Sequence, residues 1–321
     1  MVKFITTYET VPMKAILIYQ YGGPEELIYG DAPEPVINPG DVLVKVFATS
    51  INPVDWKVRE GHMKGMERTF PVILGWDVSG VIEKVGAEVH DYKPGDEVYA
   101  RPDVSRNGTY AEYVAVRANE IYYKPKTIDH LHAAAIPLAG LTAWQGLFDH
   151  GKLQAGQKIL IHGASGGVGT LAVQLAKWKG ACVIGTASQN NIDFLKELGA
   201  DEVIDYHKQH FEEILKNIDV VFDTIGGETQ TKSLRVLKPG GILVSTVGIQ
   251  DEAALKEKGL HGVQYMAQSV PENLKEMAAL VDAEKLKPVI AKVFPLTAIA
   301  EAHKLSEEGH VRGKIVIRVV E

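Results

Sequence analysis

Cysteine is almost missing from this chain: Cys182 is the one thiol in 321 residues. That excludes an intrachain disulfide and any multi-cysteine metal lobe, and it favours a reducing, cytoplasmic setting. Long runs of one charge sign are missing too. Lys+Arg 34 against Asp+Glu 41 leaves a net charge of −7, and without a clustered basic stretch nucleic acid is not expected as a partner. No uncharged apolar run reaches the roughly 18 residues that a membrane helix needs. Met1 to Met13 carries neither a basic segment ahead of an apolar one nor a small-residue cleavage pattern, so secretion and membrane insertion are not expected. What is present is an ordinary globular composition, 45% hydrophobic and 23% charged, with 31 Gly and 15 Pro. The length exceeds what one core usually fills, so two domains are expected.

Residues 14–130 are rich in short β-branched runs: Lys14 to Tyr19, Asp41 to Phe47, Asp77 to Glu83, Asp96 to Ala100 and Ala111 to Val116. Turns separate them, as in Asn38-Pro39-Gly40-Asp41 and Lys93-Pro94-Gly95-Asp96, where proline sets φ and glycine permits positive φ. A compact barrel-like unit is expected. Near 130 the texture changes to apolar positions at helical spacing, from His132 to Ile136 and Thr142 to Phe148. From Lys158 onward strands alternate with helices, which implies a parallel sheet covered on both faces. After Pro271 a helix leads to the strand Lys314 to Arg318, expected to rejoin the first unit. The fold class is therefore α/β, with one unit from 1–130 and 271–321 and a doubly wound unit from 131–270.

The segment Ala164, Ser165, Gly166, Gly167, Val168, Gly169 follows a strand and opens a helix, the context that a dinucleotide fingerprint requires. Gly166 lets the backbone approach a pyrophosphate, Gly169 lets the helix pack on the strand, and the helix amides hold the phosphate charge. Ala164 replaces the first glycine. About 20 residues on, NAD sites place an acid for the ribose hydroxyls, but Gly185 to Asn191 contains none. Ser188, Gln189, Asn190 and Asn191 can instead donate to a 2′-phosphate, so NADPH is the expected cofactor. Asn191 is neutral where a firm phosphate site calls for Arg or Lys. Tyr206 either stacks near the adenosine or is a half-buried aromatic at a strand end.

Taken with the β-rich first half, the glycine turn, Gly140-Leu-Thr-Ala-Trp144 and Gly108-Thr-Tyr-Ala-Glu-Tyr-Val114, the chain resembles the medium-chain dehydrogenase/reductase superfamily along nearly its whole length. Ile51-Asn-Pro-Val-Asp-Trp56 with Gly75-Trp76-Asp77 resembles its zinc-independent quinone oxidoreductase branch, the zeta-crystallin-like proteins. The resemblance implies a GroES-like catalytic domain beside a Rossmann cofactor domain, and a homodimer whose cofactor domains join edge strands. Gly240 to Val247 and Val263 to Met266 are apolar runs where such an edge needs covering. It places Thr142 near the nicotinamide, with helix packing as the other reading. Thr224, Val247 and Lys314 complete the candidate cofactor set.

Compared with the zinc alcohol dehydrogenases of that superfamily, Asn52, Trp76 and Leu138 stand at the ligand positions, and an amide, an indole and an isobutyl group do not assemble a zinc site. His62, His132 and His162 match no zinc spacing. Without a Lewis acid the substrate must delocalise its own incoming charge, as quinones and α,β-unsaturated carbonyls do. Asn52 is the candidate donor near the nicotinamide ribose or substrate oxygen, or else only an Asn-Pro turn former. Asp55 holds that loop or transfers a proton, the first being preferred. Trp56 and Trp76 are either an aromatic wall or core. Two competing readings are an enoyl-thioester reductase, weakened because Trp56 cannot act as the tyrosine donor, and a non-enzymatic NADPH-binding accessory protein, for which the net charge offers no RNA footprint.

Overall fold

The computed structural model describes residues 12–63 and 69–320, so most of the Met1 to Met13 opening lies outside the described residues. Strands β1 (Pro12–Leu17) and β2 (Ile28–Pro33) form an antiparallel ribbon. A seven-stranded sheet is built from β3 (Asp41–Ser50), β4 (Val78–Val85), β5 (Glu97–Ala100), β6 (Tyr113–Arg117) and β7 (Ile121–Tyr123), together with two strands from the far end of the chain. A six-stranded parallel sheet holds β8 (Lys158–Ile161), β9 (Cys182–Ala187), β10 (Glu202–Asp205), β11 (Ile218–Asp223), β12 (Leu237–Ser245) and β13 (His261–Gln264). The chain then returns through β14 (Ile290–Pro295) and β15 (Lys314–Arg318).

The first sheet encloses a valine-rich core. Val42, Val44 and Val46 of β3 point to one side with Val78, Ile82, Val98, Val114 and Val116, the period-two pattern of a strand with one buried face. Strand β3 is long enough to serve three neighbours, pairing β6 near its start, β4 along its middle and β15 at residues 48–50. That last pairing brings Lys314, the first residue of β15, close to the loop that follows β3.

The parallel sheet has the order β10-β9-β8-β11-β12-β13, the doubly wound topology whose direction reverses between β8 and β11. Its strands read as continuous apolar runs because both faces are buried: Ile159 and Ile161 face one helical layer and Leu160 the other, and Val220 and Phe222 alternate likewise with Val221. Both crossings between the two sheets come later in the chain than the texture of the sequence indicates. Ala134 and Ala135, past the expected boundary at 130, pack on Ala48 and Val316 of the first sheet. The helix Pro271–Asp282, expected to belong with the first unit, buries Leu274, Met277 and Val281 in the core beside β8, and re-entry into the first sheet occurs at β14. The reason is amphipathicity: that helix lays its apolar stripe on the helix Pro137–Trp144 and its core while also packing against β7, and Tyr99 of β5 donates to its Leu274 carbonyl.

Candidate active site

Crevices in open parallel sheets lie at the carboxyl ends of the strands where the order reverses, and here those ends carry the glycine turn after β8 and Thr224 after β11. Gly163 turns the chain at φ +67°, and the helix Gly167–Trp178 starts three residues after Ala164. A Cβ on Gly169 would lie 2.2 Å from the Gly163 carbonyl oxygen, so the turn closes only with glycine there. Gly166 differs, because a Cβ there would meet nothing closer than 3.4 Å; internal packing leaves the space in front of it open. A Cβ on Gly167 would lie 2.7 Å from Cδ of Lys314, whose stem crosses this point. Such an open-fronted turn of backbone amides fits a dinucleotide pyrophosphate.

The other candidate cofactor residues gather around the turn to different degrees. Thr224 donates to the His162 carbonyl oxygen at 3.0 Å and faces Gly163. Asp223 fixes the following loop by accepting from the Ile225 and Gly226 amides, each at 2.9 Å. Val247, two residues past β12, is exposed beside Gly226. Asn191 donates to Oγ of Ser165 at 3.3 Å and of Ser188 at 3.2 Å, so the second-strand loop and the turn form one cluster. Val168 packs inward on the core and Ala164 is fully buried, so these two contribute shape and backbone only. Thr142 donates to the Leu138 carbonyl oxygen at 2.7 Å inside its helix, while its own carbonyl accepts from Tyr265. Tyr206 is exposed, 47%, past β10, with its ring 4.3 Å from that of His207, so it is not a half-buried aromatic at a strand end.

The Asn52 loop lies across from the glycine turn. Asn-Pro-Val-Asp is not an isolated turn: it opens a short helix, Pro53–Arg59, with proline at the first position, where its missing N–H costs nothing. Asp55 Oδ2 accepts from the Asn52 amide at 2.7 Å, the N3-to-cap half of a capping box. The Asn52 side chain, which faces the Asp55 backbone in the other half of that box, also reaches the cleft. Its Nδ2 donates to Asp77 Oδ2 at 2.7 Å and its Oδ1 accepts from Lys314 Nζ at 2.5 Å, and these unlike partners set the amide orientation. Asp77 also accepts from Ser50 Oγ at 2.5 Å and from the Leu138 amide at 2.6 Å, and Lys314 Nζ lies 3.4 Å from it. Asn52, Asp77 and Lys314 are all buried, at 4%, 0% and 5% exposure. Of the three positions compared with zinc ligands, Asn52 and Leu138 therefore converge with Lys314's ammonium between two lobes. Trp76 does not: it is fully enclosed in the core with Ile51, Leu74 and Tyr110. Trp56 is half-buried with Lys57 over its ring, and its buried indole N–H has no partner among the described residues.

Behind Asn52 runs a buried chain of side chains that sequence reading missed. Tyr110 donates to Asp55 Oδ2 at 2.6 Å, His303 Nε2 lies 3.2 Å from the Tyr110 oxygen, and Arg59 Nη1 lies 3.0 Å from His303 Nδ1. Arg59 then pairs with Glu60 and Glu307. Burial, reinforced by the Arg59 charge, lowers the His303 pKa to about 3, so the ring is neutral and donates from Nε2. Burial raises Asp55 to about 7 against the opposing hydrogen bonds from Tyr110 and Asn52; its Oδ1 has no partner among the described residues. No local signal could have placed Lys314 here, since 262 residues separate it from Asn52. Of the three histidines, His62 pairs with Glu60, His132 with Asp129, and His162 is buried between Thr186 and Ser233 with its pKa lowered to about 4 by burial. Among the described residues no group of three or more His, Cys, Asp or Glu is arranged to hold a metal.

Fold and site together define a two-lobed oxidoreductase with a nicotinamide dinucleotide seat. Residues 38–126 match the alcohol dehydrogenase GroES-like domain and residues 198–317 the zinc-binding dehydrogenase family. The chain is 38% identical to the human mitochondrial NAD(P)H oxidoreductase RTN4IP1, over 98% of this chain and 91% of that protein. It is 37% identical to the chloroplastic NADPH-dependent alkenal/one oxidoreductase of Arabidopsis thaliana, over 98% and 82%. The structure of the quinone oxidoreductase from Coxiella burnetii superposes with a TM-score of 0.92 at 38% identity, over 97% of this chain and 100% of that one. The chain belongs to the medium-chain dehydrogenase/reductase superfamily, in its quinone oxidoreductase branch.

Proposed function

We propose that the protein is an NADPH-dependent reductase that delivers hydride to quinones or α,β-unsaturated carbonyls without a metal. The observation that carries this reading is the Asn52, Asp77, Lys314 cluster, in which a buried ammonium is held at the cleft beside the glycine turn. Bound NADPH supplies the hydride; the remaining work falls to the protein. Lys314 holds the Asn52 amide oxygen and Asp77 holds one of its two N–H groups, so the second is oriented by a fixed frame and is assigned to the nicotinamide ribose or the substrate oxygen. A conjugated acceptor spreads its developing charge over several atoms and needs only such a donor, whereas an isolated ketone needs a stronger electrophile. Alignment and exclusion of water supply the rest. Tyr110, the tyrosine behind the Asn52 loop, is fully buried and donates to Asp55, which favours this reading over an enoyl-thioester reductase with a tyrosine acid.

The same reading includes a homodimer joined at β13, the edge of the parallel sheet, where His261, Gly262 and Gln264 are exposed. It also includes cytoplasmic placement, supported by the single thiol; no helix among the described residues is long and apolar enough to cross a membrane. The decisive experiment is a panel of quinones, 2-alkenals, enoyl thioesters and simple ketones assayed with NADPH and NADH, beside metal analysis. Turnover of quinones or alkenals, preference for NADPH and activity that survives chelation are expected. Reduction of simple ketones alone would overturn the reaction class, and one tightly held zinc per chain whose removal abolishes activity would overturn the metal-free chemistry.

A further inference from the structure

The pairing of β4 with β5 presents a side chain that the chemistry above does not use. Val78, Val98 and Ala100 of these strands fill the valine-rich core, so the residues that alternate with them lie on the opposite face, towards the second lobe. Tyr99 shows this: it packs into the core beside β8 and donates to the Leu274 carbonyl at 2.5 Å. Val78 pairs with Ala100 and Ser79 with Tyr99, which makes Asp77 and Arg101 the next antiparallel pair, on the same face as Tyr99. Arg101 therefore stands beside the carboxylate that anchors Asn52 and Lys314. Across the lobe junction its Nη1 donates to Ser269 Oγ at 3.2 Å, and that hydroxyl donates back to the Arg101 carbonyl at 2.5 Å.

What Arg101 lacks is a counter-ion. It is 7% exposed, and among the described residues its Nε has no hydrogen-bond partner and its guanidinium no ion pair. The neighbouring acids are committed elsewhere. Asp103 and Glu120 pair with Arg117 at 2.6 and 2.9 Å, and Asp77 accepts from Ser50, Asn52 and the Leu138 amide with Lys314 3.4 Å away. Burial lowers the Arg101 pKa against the pull of Asp103, Glu120 and Asp77, yet a guanidinium stays charged at neutral pH. A buried charge is costly unless it is paired, and Ser269 offers only a neutral oxygen. With Nη1 on Ser269, the edge of the planar fork that remains is Nε with Nη2, which suits the two oxygens of a carboxylate. Such binding has to be local, because a net charge of −7 does not draw anions to the chain.

We propose that the acceptor reduced by this protein carries a carboxylate and that Arg101 binds it at the lobe junction, as the residue that selects the substrate. This rests on the reductase reading above and narrows its acceptors to acidic enones and acidic quinones. The test pairs 4-oxo-2-pentenoate with its methyl ester, enones that differ in the methyl group that removes the charge. Both are assayed with NADPH on the full chain and on Arg101→Ala and Arg101→Lys. The unaltered chain is expected to show a KM for the acid at least tenfold below that for the ester, with kcat alike. Arg101→Ala should raise KM for the acid at least tenfold and change that for the ester less than twofold, with Arg101→Lys between. If Arg101→Ala impairs acid and ester equally, the arginine only joins the lobes; if the unaltered chain treats both alike, no group reads the carboxylate. Either overturns the assignment and leaves the reductase standing. Calorimetric binding of 4-oxopentanoate, the acid without the double bond, reads the site without turnover. If quinones, alkenals and both pentenoates all go unreduced, the reductase reading fails by itself; binding weakened at least tenfold in Arg101→Ala then upholds the carboxylate site, and unchanged binding overturns it.

Discussion

Asn52 carries the most testable chemistry at the scale of one residue. Its amide joins a buried cation to a buried carboxylate, so Asn52→Ala removes both an acceptor for Lys314 and a donor to Asp77. We expect kcat/KM with a quinone or enone to fall by roughly tenfold or more, the effect of losing about 1.4 kcal/mol of transition-state stabilisation. Steady-state kinetics on the folded variant checks this, and an unchanged rate would remove Asn52 from the mechanism. Asp55 makes a prediction about pH. Its folded pKa, about 7, lies above its ordinary value of 3.8 because burial disfavours the charge. Its contribution to stability is therefore present at low pH and is lost as pH rises from about 4 through 7, by up to about 1.4 kcal/mol per unit. His303 acts oppositely: depressed to about 3 from 6.5, it withdraws stability as pH falls below 6.5. Comparison with Asp55→Asn isolates the first effect, since His303 is common to both proteins. Urea unfolding at pH 5 and pH 8 should show the unaltered chain losing stability relative to Asp55→Asn at the higher pH, and a pH-independent difference would contradict the shifted carboxyl.

The glycine turn separates two jobs within one element. Gly169 is required by packing, since its Cβ would strike the Gly163 carbonyl, whereas Gly166 has room for one. Gly169→Ala should lower Tm by about 3 °C or more through overpacking. Gly166→Ala should leave Tm within about 2 °C and yet weaken nicotinamide dinucleotide binding at least tenfold, because its methyl group projects into space that the fold itself does not use. Thermal scans with fluorescence titration distinguish these outcomes; equal Tm losses would mean that the turn is shaped by packing alone. The turn was legible because strand, glycines and helix are consecutive in the chain. The Asn-Pro-Val-Asp segment was half legible: its residues were singled out, but the helix it opens and the buried Tyr110, His303 and Arg59 behind it were not, since Tyr110 and His303 come from distant segments and Arg59, at the end of that helix, joins them only through His303.

For the whole molecule, the exposed edge at β13 predicts a dimer: light scattering across a concentration series should give twice the chain mass, and a concentration-independent monomer would refute it. The α/β class, the β-rich first half, the parallel second sheet and the dinucleotide turn were determined by the sequence itself, because hydrophobic period, turn residues and motif spacing are local properties. Tertiary structure alone decided where the chain crosses between sheets, that Trp76 is core and not cleft wall, and that Lys314 and Arg312 meet loops at Asn52 and Asn191. Those outcomes depend on which apolar faces cover one another and on β15 pairing with β3. Long-range pairing of that kind has no periodicity along the chain for a sequence to display.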